Sequence, residues 1–263
     1  MIRFCTLFSG SSGNSTYISG GDGGILIDAG VNCKTLVSKL RQINVEPDTI
    51  KALFITHEHG DHIAGIRVFA GRYGIPVYST AGTLAQIEQR HASDERTRLT
   101  VLPEGGVDFT DMRVTSFHIS HDVADPVGYR IDFGGKVIAT ATDTGCITPE
   151  EKAAFTGADL VLIESNHDLD MLKNGFYPYE LKQRIRSKTG HLSNDDCAAF
   201  LPYLLENGTT RFVLGHLSRD NNTPYAAHSA SMAALLGAGA KADVDFELTV
   251  AEPESTKTRC ICL

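Results

Sequence analysis

Long apolar runs are missing from this sequence. Hydrophobic residues make up 42% of its 263 residues, but no run approaches the ~18 residues that a membrane span needs. The first residues, MIRFCTLFSGSSGNSTYISGG, also lack the uninterrupted apolar core of a secretory signal. The composition therefore predicts a globular protein that contacts no membrane, and we expect it in the cytoplasm.

Closely spaced cysteine pairs of the C-x-x-C type are missing as well. The six cysteines are scattered along the chain: Cys5, Cys33, Cys146, Cys197, Cys260 and Cys262. This spacing favours free thiols in a reducing compartment over a disulfide framework. For the last two we expect a frayed C-terminus rather than a metal site.

Positive charge is scarce, because 24 Lys and Arg stand against 32 Asp and Glu and leave a net charge of −8. Such a surface as a whole repels polyanions, so nucleic-acid binding would depend on local basic patches or bound cations. The charge balance by itself favours no particular function.

No low-complexity linker, short repeat or domain boundary interrupts the chain, so we predict a single domain over 1–263. Strands are predicted at 23–30, 50–57, 75–80, 112–120, 127–133, 136–143, 159–165, 210–216 and 245–251. Helices are predicted at 34–43, 65–74, 82–92, 148–155, 178–188, 193–206 and 223–237. Gly134-Gly135 predicts a hairpin, which requires antiparallel pairing. An α/β fold with two sheets packed face to face and helices outside fits this pattern better than one parallel sheet.

Polar residues are concentrated where the predicted strands end. THEHGDH follows ALFI, TDTG follows VIATA, and GHLS follows RFVL. In the first of these, His57, His59 and His62 stand within six residues, together with Asp61. Imidazole nitrogens and carboxylate oxygens are the donors that divalent metals coordinate. The sequence therefore predicts a metal site built from strand ends.

The H-x-H-x-D-H pattern resembles the second motif of the metallo-β-lactamase superfamily, and the other motifs of that family follow in order. The resemblance implies an αββα sandwich, the metallo-β-lactamase fold, with two metal ions at one edge. Asp28 in LIDAG is similar to the first motif, which is structural rather than ligating. The implied metal ligands are His57, His59, Asp61, His62, His121, Asp143 and His216. His57, His59 and His121 would hold one ion and Asp61, His62 and His216 the other, with Asp143 as the bridge.

The third motif offers two histidines, His118 and His121, in SFHISHD. HDVADPVG resembles the ligand segment of nucleic-acid hydrolases in the superfamily, which favours His121 and leaves His118 as a strand residue near the site. Neither the second nor the fifth motif contains Cys, so the soft-ligand zinc site of some lactamases is absent.

Four further segments narrow the resemblance to the YycJ/WalJ-type nuclease branch: SGSSGNSTYI, ESNHD, GHLSN and LGHLSRDNNTP. The branch implies a dimetal phosphodiesterase, a 5′-to-3′ exonuclease on DNA, with a suggested role in DNA repair. The short stretch between Asp143 and His216 leaves no room for the large insertion that ribonuclease J carries there. Two divalent ions per chain are implied, zinc or manganese with iron as a third candidate, and DNA is the implied partner.

Three residues are candidates for catalysis. His191 would donate a proton to the leaving oxygen and Glu164 would orient it, although His191 also fits a structural loop. Asp61 would orient the attacking hydroxide.

Substrate contacts are predicted in two segments. KQRIRSK supplies Lys182, Arg184 and Arg186, which fit either phosphate contacts or a solvated helix face. SGSSGNS supplies Ser12 and Asn14, which fit either a phosphate-binding turn or a plain connecting loop.

Two other functions remain open at this point. A glyoxalase-type thioester or lactone hydrolase would use the same ligands with a small apolar pocket. A metal-binding regulatory protein without turnover would need no open coordination position.

Overall fold

The computed structural model describes residues 1–21, 23–251 and 260–263. The chain divides into two compact units. The first contains Met1–Thr115, Val123–Val127 and the C-terminal strand, and the second contains Ser116–Asp122 and the described chain from Gly128 to Ala251. The single domain over 1–263 stays a prediction. Within the described ranges, no helix combines the length and apolar composition needed to cross a bilayer.

The first unit is built on a mixed sheet. Its described strands are β1 (Arg3–Phe8), β2 (Ser15–Ser19), β3 (Gly24–Ile27), β4 (Ile50–Phe54), β5 (Val77–Ser79), β6 (Leu99–Val101) and β14 (Cys260–Cys262). They lie in the order β14-β1-β2-β3-β4-β5-β6. β1, β2 and β3 pair antiparallel, whereas β3 to β6 run parallel.

Parallel neighbours need crossover connections, and most of the helices of this unit lie in them. These helices are α1 (Cys33–Gln42), α2 (Gly60–Ile63), α3 (Ile66–Tyr73) and α4 (Ala81–Gln89). In α1, Leu36 and Leu40 share one helix face and are fully buried, and the Asn32 side chain caps the N-terminus by accepting from Thr35 N–H at 3.0 Å. The carboxyl ends of β3 and β4 therefore open at one edge of the sheet, where polar side chains can gather.

The second sheet contains β7 (Val107–Asp108), β8 (Arg113–His118), β9 (Val127–Asp132), β10 (Val137–Ala141), β11 (Leu160–Glu164), β12 (Arg211–Gly215) and β13 (Glu247–Val250). Their order is β13-β12-β11-β10-β9-β8-β7. β10 to β13 run parallel, and β9 pairs antiparallel with β10. The helices of the second unit are α5 (Pro149–Phe155), α6 (Leu169–Asn174), α7 (Tyr179–Ile185), α8 (Asn194–Glu206) and α9 (Pro224–Gly237).

Each of the predicted strands and helices has a counterpart, and two sheets are present as expected. The predicted hairpin is confirmed, because Phe133 N–H donates to Lys136 O at 2.9 Å across Gly134-Gly135. The prediction missed β1, β2, β6, β7, β14, α2 and α6. β1 and β2 flank the Ser- and Gly-rich segment 9–15, whose composition is typical of a loop and hides the strands on either side.

The C-terminus departs from the prediction of a frayed end. β14 pairs antiparallel with β1, and a disulfide joins Cys5 to Cys260. The expectation of free thiols is therefore wrong for this pair, since sequence spacing does not show which distant strands become neighbours. Cys33, Cys146, Cys197 and Cys262 are free.

Candidate metal centre

The first group of predicted ligands, which we call the histidine cluster, consists of His57, His59, Asp61 and His62 directly after β4. The strand is almost wholly buried, and the chain turns at its carboxyl end into α2 with His59 as the N-cap. His57 Nε2 lies 3.1 Å from His59 Nδ1, and the rings of His57 and His62 are centred 4.0 Å apart. The structure thus brings three imidazoles and a carboxylate together.

Asp28 and Thr56 orient two of these imidazoles, those of His57 and His62. Asp28 Oδ2 lies 2.8 Å from His62 Nδ1 and accepts from the Thr56 hydroxyl at 2.9 Å. Thr56 Oγ1 also lies 3.0 Å from His57 Nδ1. Because these contacts engage Nδ1, a metal would be coordinated through Nε2 of His57 and His62. Asp28 therefore has the structural position expected of it, whereas the role of Thr56 was missed because a threonine carries no metal-ligand signal.

Asn14, predicted to bind substrate, lies against the histidine cluster. Its Nδ2 donates to Asp61 Oδ2 at 3.2 Å and lies 3.0 Å from His62 Nε2. Gly10 holds the amide from the other side, since its N–H donates to Asn14 Oδ1 at 2.9 Å. Ser12 is exposed in the same loop. A substrate contact by Asn14 or Ser12 stays a prediction.

The second group, the carboxylate cluster, consists of Asp143, Glu164, His191 and His216. Asp143 follows β10, Glu164 ends β11 and His216 follows β12, so three parallel strands deliver them to one sheet edge. Each of the four residues offers one ligand atom, and these atoms lie within 4.8 Å of one another. Asp143 and His216 adopt left-handed backbone, with φ of 60° and 55°, a conformation that costs energy and is concentrated at functional sites.

Glu164 is the centre of the carboxylate cluster and is fully buried. Its Oε1 lies 2.7 Å from His216 Nδ1 and 2.9 Å from His191 Nδ1. Its Oε2 accepts from the backbone N–H of Thr144 at 2.9 Å and of Leu192 at 3.1 Å. One carboxylate thus orients two imidazoles and two peptide groups.

The two charged partners shift each other's titration. Burial alone would raise the pKa of Glu164, but the charge and hydrogen bonds of His191 and His216 outweigh it and hold that pKa below its usual value. Burial alone would lower the pKa of His191, but the charge of Glu164 and its hydrogen bond raise it above its usual value. Each partner therefore favours the charged form of the other, ionised Glu164 and protonated His191.

His121 and His118 lie in different surroundings. His121 is 7% exposed, its Nδ1 lies 3.2 Å from Gly190 O, and its Nε2 lies 4.0 Å from Asp143 Oδ1. His118 ends β8 with its side chain exposed. Gly190 must be glycine for this approach, because a Cβ there would lie 2.2 Å from Arg184 O. Of the two, His121 is thus the buried histidine beside Asp143, and its role as the ligand of the third motif stays a prediction.

The basic segment of α7 is partly occupied by contacts within the protein. Arg184 forms a bidentate pair with Asp122, at 2.6 and 2.8 Å, and its guanidinium holds the pKa of Asp122 below its usual value. Lys182 Nζ donates to Lys173 O and Gly175 O, whereas Arg186 is exposed. Asp122 was missed by sequence reasoning, because its partner stands 62 residues away. Substrate contacts by these three cations stay predictions.

Both clusters have the donor chemistry of a divalent-metal site. The histidine cluster offers three imidazoles, and His57 Nε2 and His59 Nδ1, 3.1 Å apart, are close enough for both to offer a lone pair to one cation. The carboxylate cluster offers two imidazoles and two carboxylates. These are the ligands that zinc and manganese take in proteins, so the residues fit bound divalent metal.

Similarity to a solved structure gives the fold class. The metallo-beta-lactamase fold protein YhfI from Bacillus subtilis superimposes with a TM-score of 0.72 at 19% identity, covering 98% of this chain and 99% of that one. With its two mixed sheets and their helices, the chain has the metallo-β-lactamase fold.

Sequence comparison gives the family. Residues 24–217 match the family described as "Beta-lactamase superfamily domain". Exodeoxyribonuclease WalJ of Streptococcus pneumoniae is 37% identical over 257 residues, which cover 97% of this chain and 96% of the relative. Exodeoxyribonuclease YycJ of Bacillus anthracis is 33% identical over 254 residues, which cover 96% of each chain. The chain belongs to the β-lactamase superfamily, in the branch that contains WalJ and YycJ.

Proposed function

We propose that the chain is a metal-dependent phosphodiesterase that degrades DNA as a 5′-to-3′ exonuclease. The structural observation that supports it is the Glu164–His191 pair, held at 2.9 Å inside a group of metal donors. Similarity to the two relatives, which are named exodeoxyribonucleases, supports DNA as the substrate. A role in DNA repair and a cytoplasmic location stay predictions.

The proposed cofactors are two divalent ions per chain, zinc or manganese before iron, held by the ligands that the motifs predict. Bound ions of this kind lower the pKa of a water molecule and neutralise charge on the attacked phosphate. Asp61 accepts from Asn14 through Oδ2, a contact that holds its carboxylate in place, and it would orient the attacking water. These assignments belong to the proposal.

His191 has the features of a general acid. Its Nδ1 faces Glu164, its pKa is raised, and 17% of its side chain is exposed, which leaves an approach for substrate. A protonated imidazole can transfer a proton to the departing oxygen of the phosphodiester. Glu164 acts through His191 and is a positioning residue.

The test is degradation of DNA and RNA labelled at the 5′ or 3′ end, with the bound metal counted by elemental analysis. We expect about two ions per chain, mononucleotide release from the 5′ end of DNA, and loss of both metal and activity in His59→Ala. Protein that binds no metal when Zn, Mn and Fe are offered would overturn the proposal. Hydrolysis of thioesters or lactones instead of DNA would point to the glyoxalase-type function, and bound metal without turnover to a regulatory protein.

A further inference from the structure

A basic groove lies between α1 and α3 in the first unit. Its volume is about 490 Å³, and its lining includes three cationic and three apolar or aromatic side chains: Lys34, Arg41, Arg72, Val37, Val68 and Tyr73. No carboxylate belongs to the described lining residues. The chain as a whole has a net charge of −8. The positive charge of the groove therefore contrasts with the rest of the chain and attracts anions.

The cations of the groove are available to a ligand. Lys34, Arg41 and Arg72 are all exposed. Arg41 lies 3.4 Å from Glu46, but both side chains are more than half exposed, at 61% and 63%. An exposed ion pair of this kind contributes little stability, so a phosphate can compete for the arginine. The groove thus presents exchangeable positive charge beside apolar surface.

The two helices that line the groove start from segments tied to the histidine cluster and lead away from it. The segment before α1 is tied to that cluster, because Asn14 N–H donates to Asp61 O at 2.8 Å and Gly30 N–H donates to Asn14 O at 2.9 Å. The N-terminus of α3 is tied to the same segment, since Gly65 N–H donates to Ala29 O at 2.8 Å. Both helices then lead from the carboxyl ends of β3 and β4 to the start of the next strand. Because a ten-residue helix is about 15 Å long, Arg41 lies roughly that far from the start of α1.

We propose that the basic groove binds the phosphate backbone of single-stranded nucleic acid, as a track for the part of the strand that is not being cleaved. This inference rests on the proposed function. A groove with cations along both helices and apolar side chains between the charges matches a polymer with regularly spaced phosphates and apolar sugar and base surface. The phosphates would contact Lys34, Arg41 and Arg72 without reading sequence.

The first experiment measures binding to metal-loaded protein by fluorescence anisotropy. The probe is a labelled single-stranded DNA with phosphorothioate linkages, which keep the charge and resist hydrolysis. The triple variant Lys34→Gln, Arg41→Gln, Arg72→Gln should bind roughly 10-fold or more weakly at low salt. Its slope of log K against log salt should be smaller by about 2, because each phosphate contact to a single strand contributes about 0.7.

A matched control removes the same charges elsewhere on the first unit. Lys51, Arg90 and Arg98 are exposed and lie outside the groove, and their triple Gln variant should keep the affinity and slope of the unchanged protein. Equal affinity in all three proteins would overturn the inference. Equal weakening in both variants would overturn it too, since the effect would then belong to net charge. Thermal unfolding of both variants checks that they fold.

A footprint locates the strand directly. Ser38 lines the groove and is exposed, so the thiol of Ser38→Cys should react with maleimide in free protein and be protected by bound DNA. Cys262, an exposed free thiol outside the groove, is the internal reference and should stay reactive. Protection by vesicles of anionic phospholipid but not by DNA would overturn the inference in favour of a membrane surface.

Activity separates this inference from the proposed function. A small chromogenic phosphodiester does not extend along the groove, so the groove variant should hydrolyse it at the unchanged rate while losing activity on long DNA. If the unchanged protein degrades DNA and the groove variant degrades it equally well at low DNA concentration, the inference fails alone. If the unchanged protein degrades no nucleic acid at all, the proposed function fails.

Discussion

The histidine cluster and the carboxylate cluster are built in different ways. The first comes from one continuous turn after β4, and two of its imidazoles, those of His57 and His62, are oriented by Asp28 and Thr56. The second comes from the ends of three strands and one loop, and a single carboxylate, Glu164, orients two histidines and two peptide N–H groups. Two residues thus share the orienting contacts in the first cluster, whereas a single residue, Glu164, provides these contacts in the second.

This difference predicts which substitutions lower the stability of the protein most. Loss of one support in the histidine cluster leaves the other contacts and the local turn in place. Loss of Glu164 leaves several buried donors without an acceptor, and each of them then has the full desolvation penalty of an unpaired group. The four predictions that follow test this contrast, beginning with the largest expected effect.

Glu164→Gln should lower the free energy of unfolding by about 3–5 kcal/mol, as breaking a buried charged pair does. A glutamine keeps the volume, but its amide NH2 would face either the two histidines or the two peptide N–H groups. Asp28→Asn should cost about 1–3 kcal/mol, because one amide oxygen can still accept from Thr56. Urea unfolding measures both.

The control for this pair is Glu180→Gln, since Glu180 is exposed on α7 and should unfold as the unchanged protein does. Metal content is a second measurement. It should fall in Glu164→Gln, because His216 loses the carboxylate that orients its ring. If Asp28→Asn proved as costly as Glu164→Gln, the contrast between shared and concentrated support would be wrong.

The same contrast explains how much the sequence could predict. The histidine cluster stands within six residues, so the grouping of its side chains and its place after a strand were both predictable. Glu164 was predicted as an orienting group for His191, but its second contact, with His216, depends on β11 and β12 being neighbours. That neighbourhood is a property of strand order, which hydrophobic periodicity does not contain.

The other contacts that the sequence did not predict join residues far apart along the chain. The Arg184–Asp122 pair joins residues 62 positions apart, and the Cys5–Cys260 disulfide joins residues 255 apart. Each residue taken alone has an ordinary interpretation, as a surface cation or a free thiol. The strands β1 and β14 were missed for a related reason, because short strands beside Ser, Gly or the chain end have little local signal.

Glu151 sharpens the contrast within the second unit, because it is a buried carboxylate with no cationic partner among the described residues. Burial raises the pKa of Glu151 from 4.5 to about 7, even though it accepts from the backbone and side chain of Thr148. The folded protein therefore keeps this proton to higher pH than the unfolded chain does. Stability should decline as pH rises from about 4.5 to about 7, by roughly 3 kcal/mol.

Urea unfolding of Glu151→Gln over this pH range checks the prediction. Glutamine preserves the capping box at the start of α5 and does not titrate, so the difference in stability between variant and unchanged protein should grow with pH. If the difference in stability between the two proteins were constant over this pH range, the pH dependence would belong to other groups. The lack of a nearby cation would then not explain why the pKa of Glu151 differs from that of Glu164.

His191 tests whether the carboxylate cluster does chemistry as well as hold structure. His191→Ala should lower kcat for DNA by roughly 100-fold, because a general acid contributes at least that much, while KM stays nearly unchanged. A phosphodiester with a p-nitrophenolate leaving group needs no proton and should recover much of the loss. Since the pKa of His191 is raised, DNA cleavage should persist above pH 6.5, the usual value for the imidazole, and decline only as His191 deprotonates. No recovery with the activated substrate would leave His191 a structural role.

The smallest effects are expected at α7. Two arginines there, Arg184 and Arg186, are predicted to have different roles, one in positioning a loop and one in contacting phosphate. Arg184 is paired with Asp122 beside His121, so Arg184→Ala should lower kcat by about 10-fold, the lower end for groups that orient metal ligands. Arg186 is exposed, so Arg186→Ala should raise KM for DNA and reduce the salt slope by about 0.7. Arg184→Lys is the deciding control, because it keeps the charge and loses the bidentate fork. If Arg184 positions the loop, the lysine variant loses kcat as the alanine variant does. If Arg184 instead contacts phosphate, the lysine variant keeps kcat and DNA affinity. In that case the position of His121 does not depend on the Arg184–Asp122 ion pair.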